Sequence, residues 1–203
     1  MKQRAILVMG IEGSGTTCVA QVLHNLGVDM GDLNRKYEDK GIHEVYTKSQ
    51  EVVEGWIQNR IAENKTIWGV KFPLLHQMLL GIIEGMKKLG LDDIRLIVVK
   101  RHRDCIIQSN YQKRRYANSL VPNYYEHIKQ SVDSKIRERD RVALAAGVPR
   151  LSVDYDFLID QAEYMVFRIV DFCFGGTGVP VSQKAIILAK NSIDRTKRHW
   201  RLT

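Results

Sequence analysis

An apolar run, Ala5–Met9, passes directly into a loop with glycines at 10, 13 and 15, hydroxyl residues Ser14, Thr16 and Thr17, and then an amphipathic run. That order predicts a strand, a tight turn and the start of a helix. A helix N-terminus leaves backbone N–H groups unpaired and carries partial positive charge, which makes it an anion site. Glycines let such a loop fold tightly and bring its amides close to a phosphate. Gly13, Ser14, Gly15, Thr16 and Thr17 are therefore candidate ligands for a phosphate-like group. The nucleotide-hydrolase loop reads G-x-x-x-x-G-K-[ST], its lysine reaching the β- and γ-phosphates. Gly10 and Gly15 keep that spacing, but Thr16 occupies the lysine position. The loop has the shape without the grip on a triphosphate.

The rest of the chain supplies a frame. Further strands are expected at Thr66–Val70, Ile94–Val99 and Arg150–Val153. Helices are expected at Thr16–Leu26, Thr47–Glu63, Leu74–Leu89, Asp104–Arg115, Tyr124–Ala146 and Asp160–Phe174, with a last one from Ser182. Ala162, Met165, Val166, Ile169, Val170 and Cys173 recur at helical spacing as one apolar stripe. Short β-rich runs alternating with longer helices predict an α/β fold of three layers, a central parallel sheet with helices on both faces. No repeat, linker or low-complexity segment divides residues 1–203, so a single domain is expected. Right-handed crossovers bring the strand C-termini, and the loops after them, to one edge where ligands bind. Those loops carry the glycines, then Lys71-Phe72-Pro73, then Lys100-Arg101-His102-Arg103, with Ser109 on the helix that follows.

Charge agrees with an anionic partner. Lys and Arg total 31 against 23 Asp and Glu, a net charge of +8, which favours a nucleotide, a sulfated or phosphorylated substrate, nucleic acid or a membrane surface. Apart from Tyr111 and Tyr116 few aromatics interleave with the basic residues, so no nucleic-acid role is expected. No apolar run reaches the ~20 residues of a membrane span, and the first residues lack a signal-peptide cleavage pattern. Cys18, Cys105 and Cys173 are an odd, scattered set flanked by apolar residues, expected as buried thiols in a reducing, cytoplasmic setting. Nothing in the Cys and His spacing suggests a metal site. Oligomeric state is not legible.

In this order the residues resemble sulfotransferases that use 3′-phosphoadenosine 5′-phosphosulfate (PAPS), particularly bacterial ones. Ser14-Gly15-Thr16-Thr17 is similar to that family's 5′-phosphosulfate loop, and the run Val22–Asp32 to the segment after it. Tyr37–Glu44 resembles a stretch with a Gly, an aromatic pair and a Glu, and Trp68–Pro73 resembles Trp-Gly-x-Lys-Asp-Pro. Arg101 and Ser109, eight apart, match the pair that holds the 3′-phosphate; Val153–Ile159 and Phe172–Gly175 resemble the family's last strand and helix. The resemblance covers roughly residues 5–175. It implies a P-loop-like fold and transfer of a sulfuryl group from PAPS to a hydroxyl or amine of a small-molecule or carbohydrate acceptor. It further implies Lys71 as the cation at the transferring group and Glu44 as catalytic base. His43 and His76 lie close in sequence and could supply a base, but a lone histidine is more often structural, so neither is assigned. The chain departs from the family pattern at Gly13, where a Lys or Arg is usual, and at Phe72, where bacterial members carry Asp. Two other readings stay open: a nucleotide- or anion-binding relative without catalysis, and a kinase using ATP.

Overall fold

In the computed structural model, which describes residues 3–34, 36–114 and 123–193, four short strands lie parallel in one sheet. They are β1 (Arg4–Met9), β2 (Ile67–Lys71), β3 (Ile94–Lys100) and β4 (Arg150–Asp154), in the spatial order β2-β1-β3-β4. Register runs from Ala5 opposite both Trp68 and Ile94 to Lys100 opposite Asp154.

Alternation along β1 divides the core. Ile6 and Val8 face one side, where they meet Val19 and Leu23 of α1 (Thr16–Asn25) and the apolar stripe of α8 (Ala162–Phe174), and α9 (Gln183–Asn191) closes that layer. Ala5, Leu7 and Met9 face the other side, against α3 (Gln50–Ala62), α4 (Leu79–Lys88) and the end of α6 (Tyr124–Ala145). A strand covered on both faces buries every side chain, and all six β1 residues are buried. The three-layer α/β architecture expected from the sequence is therefore present. A smaller cluster around Ile106, Ile107, Ile128 and Val132 joins α5 (Arg103–Arg114) to α6.

The helix boundaries differ at four places. A short helix, α2 (Lys40–Val45), precedes α3, capped by the Asp39 carboxylate, which accepts from the Gly41 and Ile42 amides. The helix expected from Thr47 then starts only at Gln50, because Thr47 adopts a positive φ of 69°. Pro73 and a 3-10 turn (Leu75–Gln77) delay α4 to Leu79. An additional short helix, α7 (Tyr155–Asp160), capped by Asp154, precedes the helix expected from Asp160, which begins at Ala162 as α8 because Gln161 leaves helical geometry at φ −120°, ψ 50°. Ser182 caps α9 through its side chain rather than opening it. The basic segment 195–201 and much of 117–127 lie outside the described residues.

The order in which strands are added reverses between β1 and β3, so their C-terminal ends flank a crevice. All four strands are parallel, and their C-terminal residues share that edge. Cys105 and Cys173 are buried as expected, whereas Cys18 is only half-buried. Among the described residues no helix is long and apolar enough to cross a membrane, and no three His, Cys, Asp or Glu side chains cluster as metal ligands.

Candidate functional site: a cationic cleft at the strand ends

At this edge lies an open cleft of about 800 Å³. Its floor is the glycine loop. Gly13 and Gly15 take φ of 90° and 94°, a left-handed region that glycine enters without strain. The Ser14 amide closes a turn on the Ile11 carbonyl at 3.0 Å. Gly15 is the N-cap of α1 and offers no side-chain cap, so the first-turn amides have no side-chain acceptor.

Arg101, at the end of β3, crosses to this loop. Its Nη1 donates to the Gly13 carbonyl at 3.2 Å, and the guanidinium lies 4.9 Å from the centre of the Tyr155 ring. Tyr155 also closes on Gly15, where an added Cβ would sit 2.1 Å from the ring. Three strand ends thus pack through one cation–π contact. The Arg101 side chain is only 7% exposed, yet Nε and Nη2 make no hydrogen bond. The nearest carboxylate, Asp156, stands 3.7 Å from Nε. Buried guanidinium donors without a hydrogen bond are costly. Ser109 lies beside Gly13, with its Oγ 3.3 Å from where a Gly13 Cβ would be.

Lys71, at the end of β2, enters from the other side. Its Nζ lies 2.7 Å from Glu38 Oε1, 3.3 Å from Thr17 Oγ1 and 3.3 Å from the Lys36 carbonyl. Burial pushes the ammonium's pKa down, and the Glu38 carboxylate opposes that fall. For Glu38 burial pushes up, but hydrogen bonds from Lys71 and Asn34 outweigh it and hold the carboxyl below its usual range. The second Glu38 oxygen lies 2.9 Å from His43 Nε2. His43 is half exposed and meets Phe72 edge-on, at 4.8 Å between ring centres.

Most residues expected at the site do meet here: Gly13, Gly15, Thr16, Thr17, Lys71, Arg101 and Ser109 all line the cleft. Ser14 belongs to the loop but turns its side chain away: it is fully buried, and a Gly10 Cβ would stand 2.5 Å from its Oγ. Glu44 does not join them. Ile42 and Val45 face inward on α2, which leaves Glu44 exposed on the opposite side. The carboxylate inside the cleft is Glu38. Arg103 is also elsewhere, tying α5 to α6 through Asp133 at 2.5 Å.

Glu38, Tyr155 and Asn110 were not legible as site residues. Asn110 Nδ2 donates to the Glu12 carbonyl at 2.8 Å and straps the loop to α5. Neither a protein-family model nor any curated protein matches the sequence.

Proposed function

We propose that the cleft binds PAPS and that the protein moves its sulfuryl group to a hydroxyl or amine of a small-molecule or carbohydrate acceptor. The observation that carries this reading is Arg101, a buried guanidinium with two nitrogens that make no hydrogen bond, beside a glycine loop that opens a helix. The donor supplies a sulfuryl group activated by a phosphate leaving group. The amides of Gly13 and of Gly15–Thr17 hold its 5′ end through the helix N-terminus. Arg101 and Ser109 hold the 3′-phosphate, the group that separates this donor from ATP.

Lys71 supplies the cation that the loop lacks. At Gly13 the positive φ disfavours any side chain, and Ser109 and Asn110 crowd a Cβ at 3.3 Å. The lysine instead arrives from β2, at Thr17. Charge stabilised by groups already in place, in a site that excludes water, is the main source of rate in such transfers.

His43 takes the role expected of Glu44. Its Nε2 faces the Glu38 carboxylate, which fixes the ring and leaves Nδ1 to accept the acceptor's proton. Glu38 acts through His43 and Lys71 as a positioning residue.

The test is a pair of titrations on Arg101→Ala. Affinity for 3′,5′-bisphosphoadenosine should fall by about a hundredfold, the loss expected for two charge-assisted hydrogen bonds. Affinity for the nucleotide without its 3′-phosphate should fall far less. Equal losses would remove the 3′-phosphate assignment.

A further inference from the structure

Beyond the groups assigned above, the cleft has a second basic end. The 3-10 turn after β2 places His76 in the cleft wall, only 4% exposed, with Nδ1 buried and without a hydrogen-bond partner. Opposite, α6 contributes Lys135, half-buried, which lines the cleft and makes no ion pair with any described residue. The neighbouring carboxylate on that helix, Glu138, is held by Arg141 at 2.7 Å, and Arg139 by Asp140 at 2.9 Å.

Between these groups and the Lys71 end the wall is apolar. Phe72 and Tyr46 meet at 5.0 Å between ring centres with their planes tilted by 58°, and Pro73 and Leu74 continue the surface. The Tyr46 hydroxyl donates to Gln77, which fixes this wall to the turn that carries His76.

A buried imidazole nitrogen without a partner is costly, and the lysine facing the same cavity makes no ion pair with a described residue, although Glu12 and Glu38 also line the cleft. Burial pushes the His76 pKa down, which favours the neutral ring, and in its Nδ1–H tautomer that ring supplies a donor rather than a second full charge. Neutral donor and ammonium together suit one carboxylate. The apolar wall suits a flat ring.

We propose that the acceptor is a hydroxylated aromatic carboxylic acid, its carboxylate held by Lys135 and His76 and its ring laid on Phe72 and Tyr46. This rests on the donor assignment for the direction of the chemistry, but the acid-binding end can be measured by itself. In the transfer, the acceptor's hydroxyl oxygen bonds to sulfur as the bond from sulfur to the bridging phosphate oxygen breaks. The proton goes to His43, and the electron pair leaves with the phosphate.

The experiment is a titration of the protein with 3-(4-hydroxyphenyl)propanoate and, separately, with its methyl ester. Each is run with and without saturating 3′,5′-bisphosphoadenosine. The acid is expected to bind roughly tenfold or more tightly than the ester, the discrimination of one charge-assisted contact. Lys135→Ala should abolish that preference and leave ester affinity unchanged. His76→Gln, which can still donate a hydrogen bond, should retain most of it. An ester that binds as tightly as the acid overturns the proposal, and so does binding of neither. Displacement of the acid by the bisphosphate also overturns it, since the carboxylate would then occupy the donor end. Failure of the bisphosphate to bind contradicts the donor reading alone, because the acid-to-ester ratio is still read without it.

Discussion

Lys71 Nζ and Glu38 Oε1 stand 2.7 Å apart, with side-chain exposures of 2% and 4%. A buried ion pair contributes little net stability beside an apolar pair of similar size, but removing one partner strands a charge. Glu38→Gln should therefore cost about 3 kcal/mol at pH 7. The double variant with Lys71→Met should cost less than the sum of the two single changes. Denaturant unfolding of the four proteins measures this coupling.

The same pair sets an acid limit. The Glu38 carboxyl is depressed below its ordinary 4.5 in the folded protein. Its stabilising contribution is complete above that unfolded value and is lost as pH falls through the folded one. Between pH 5 and the acid transition the wild type should lose more stability than Glu38→Gln, in which the group cannot titrate. Parallel loss in both proteins would mean that other carboxylates, such as Asp93 beside Arg4, set the acid limit.

Two glycines with nearly the same backbone should respond differently to alanine. Gly27 has φ 97° and nothing within 4 Å of an added Cβ, so only the left-handed conformation is penalised, by about 1 kcal/mol. Gly15 has φ 94°, and its added Cβ would stand 2.1 Å from the Tyr155 ring. Gly15→Ala should lower the melting temperature further than Gly27→Ala and should also weaken anion binding, because Tyr155 holds Arg101. Equal melting temperatures would show that Tyr155 moves aside freely.

The two proton-acceptor assignments separate cleanly. His43→Gln should abolish sulfuryl transfer while bisphosphate affinity stays near wild type, since His43 contacts Glu38 and Phe72 rather than the glycine loop. Glu44→Gln, on the exposed side of α2, should leave transfer intact. Loss of transfer in Glu44→Gln would return the base to the carboxylate that the sequence resemblance implies.

What the sequence reveals and what it hides divide along sequence distance. The layers were legible because each strand is a short apolar run and each core helix carries its own stripe. The glycine loop was legible because a strand and a helix flank it directly. Glu38 was hidden because its significance comes from Lys71, 33 positions away, and nothing local sets it apart from Glu44. Only the turn of α2, six residues with two inward positions, decides which carboxylate enters the cleft. Tyr155 was hidden for the same reason, since its partners Gly15 and Arg101 belong to other strands. The inward turn of Ser14 follows from Gly10, whose missing side chain leaves room beneath the loop.

Calorimetric titration of the wild type with 3′,5′-bisphosphoadenosine, beside ATP with magnesium, bears most directly on the cleft's chemistry. Tighter binding of the bisphosphate is expected, because Arg101 and Ser109 are the residues proposed for its 3′-phosphate and Thr16 replaces the lysine that grips a triphosphate. Tighter binding of ATP would contradict the sulfuryl-transfer reading and favour phosphoryl transfer; binding of neither would leave the cleft without a nucleotide role.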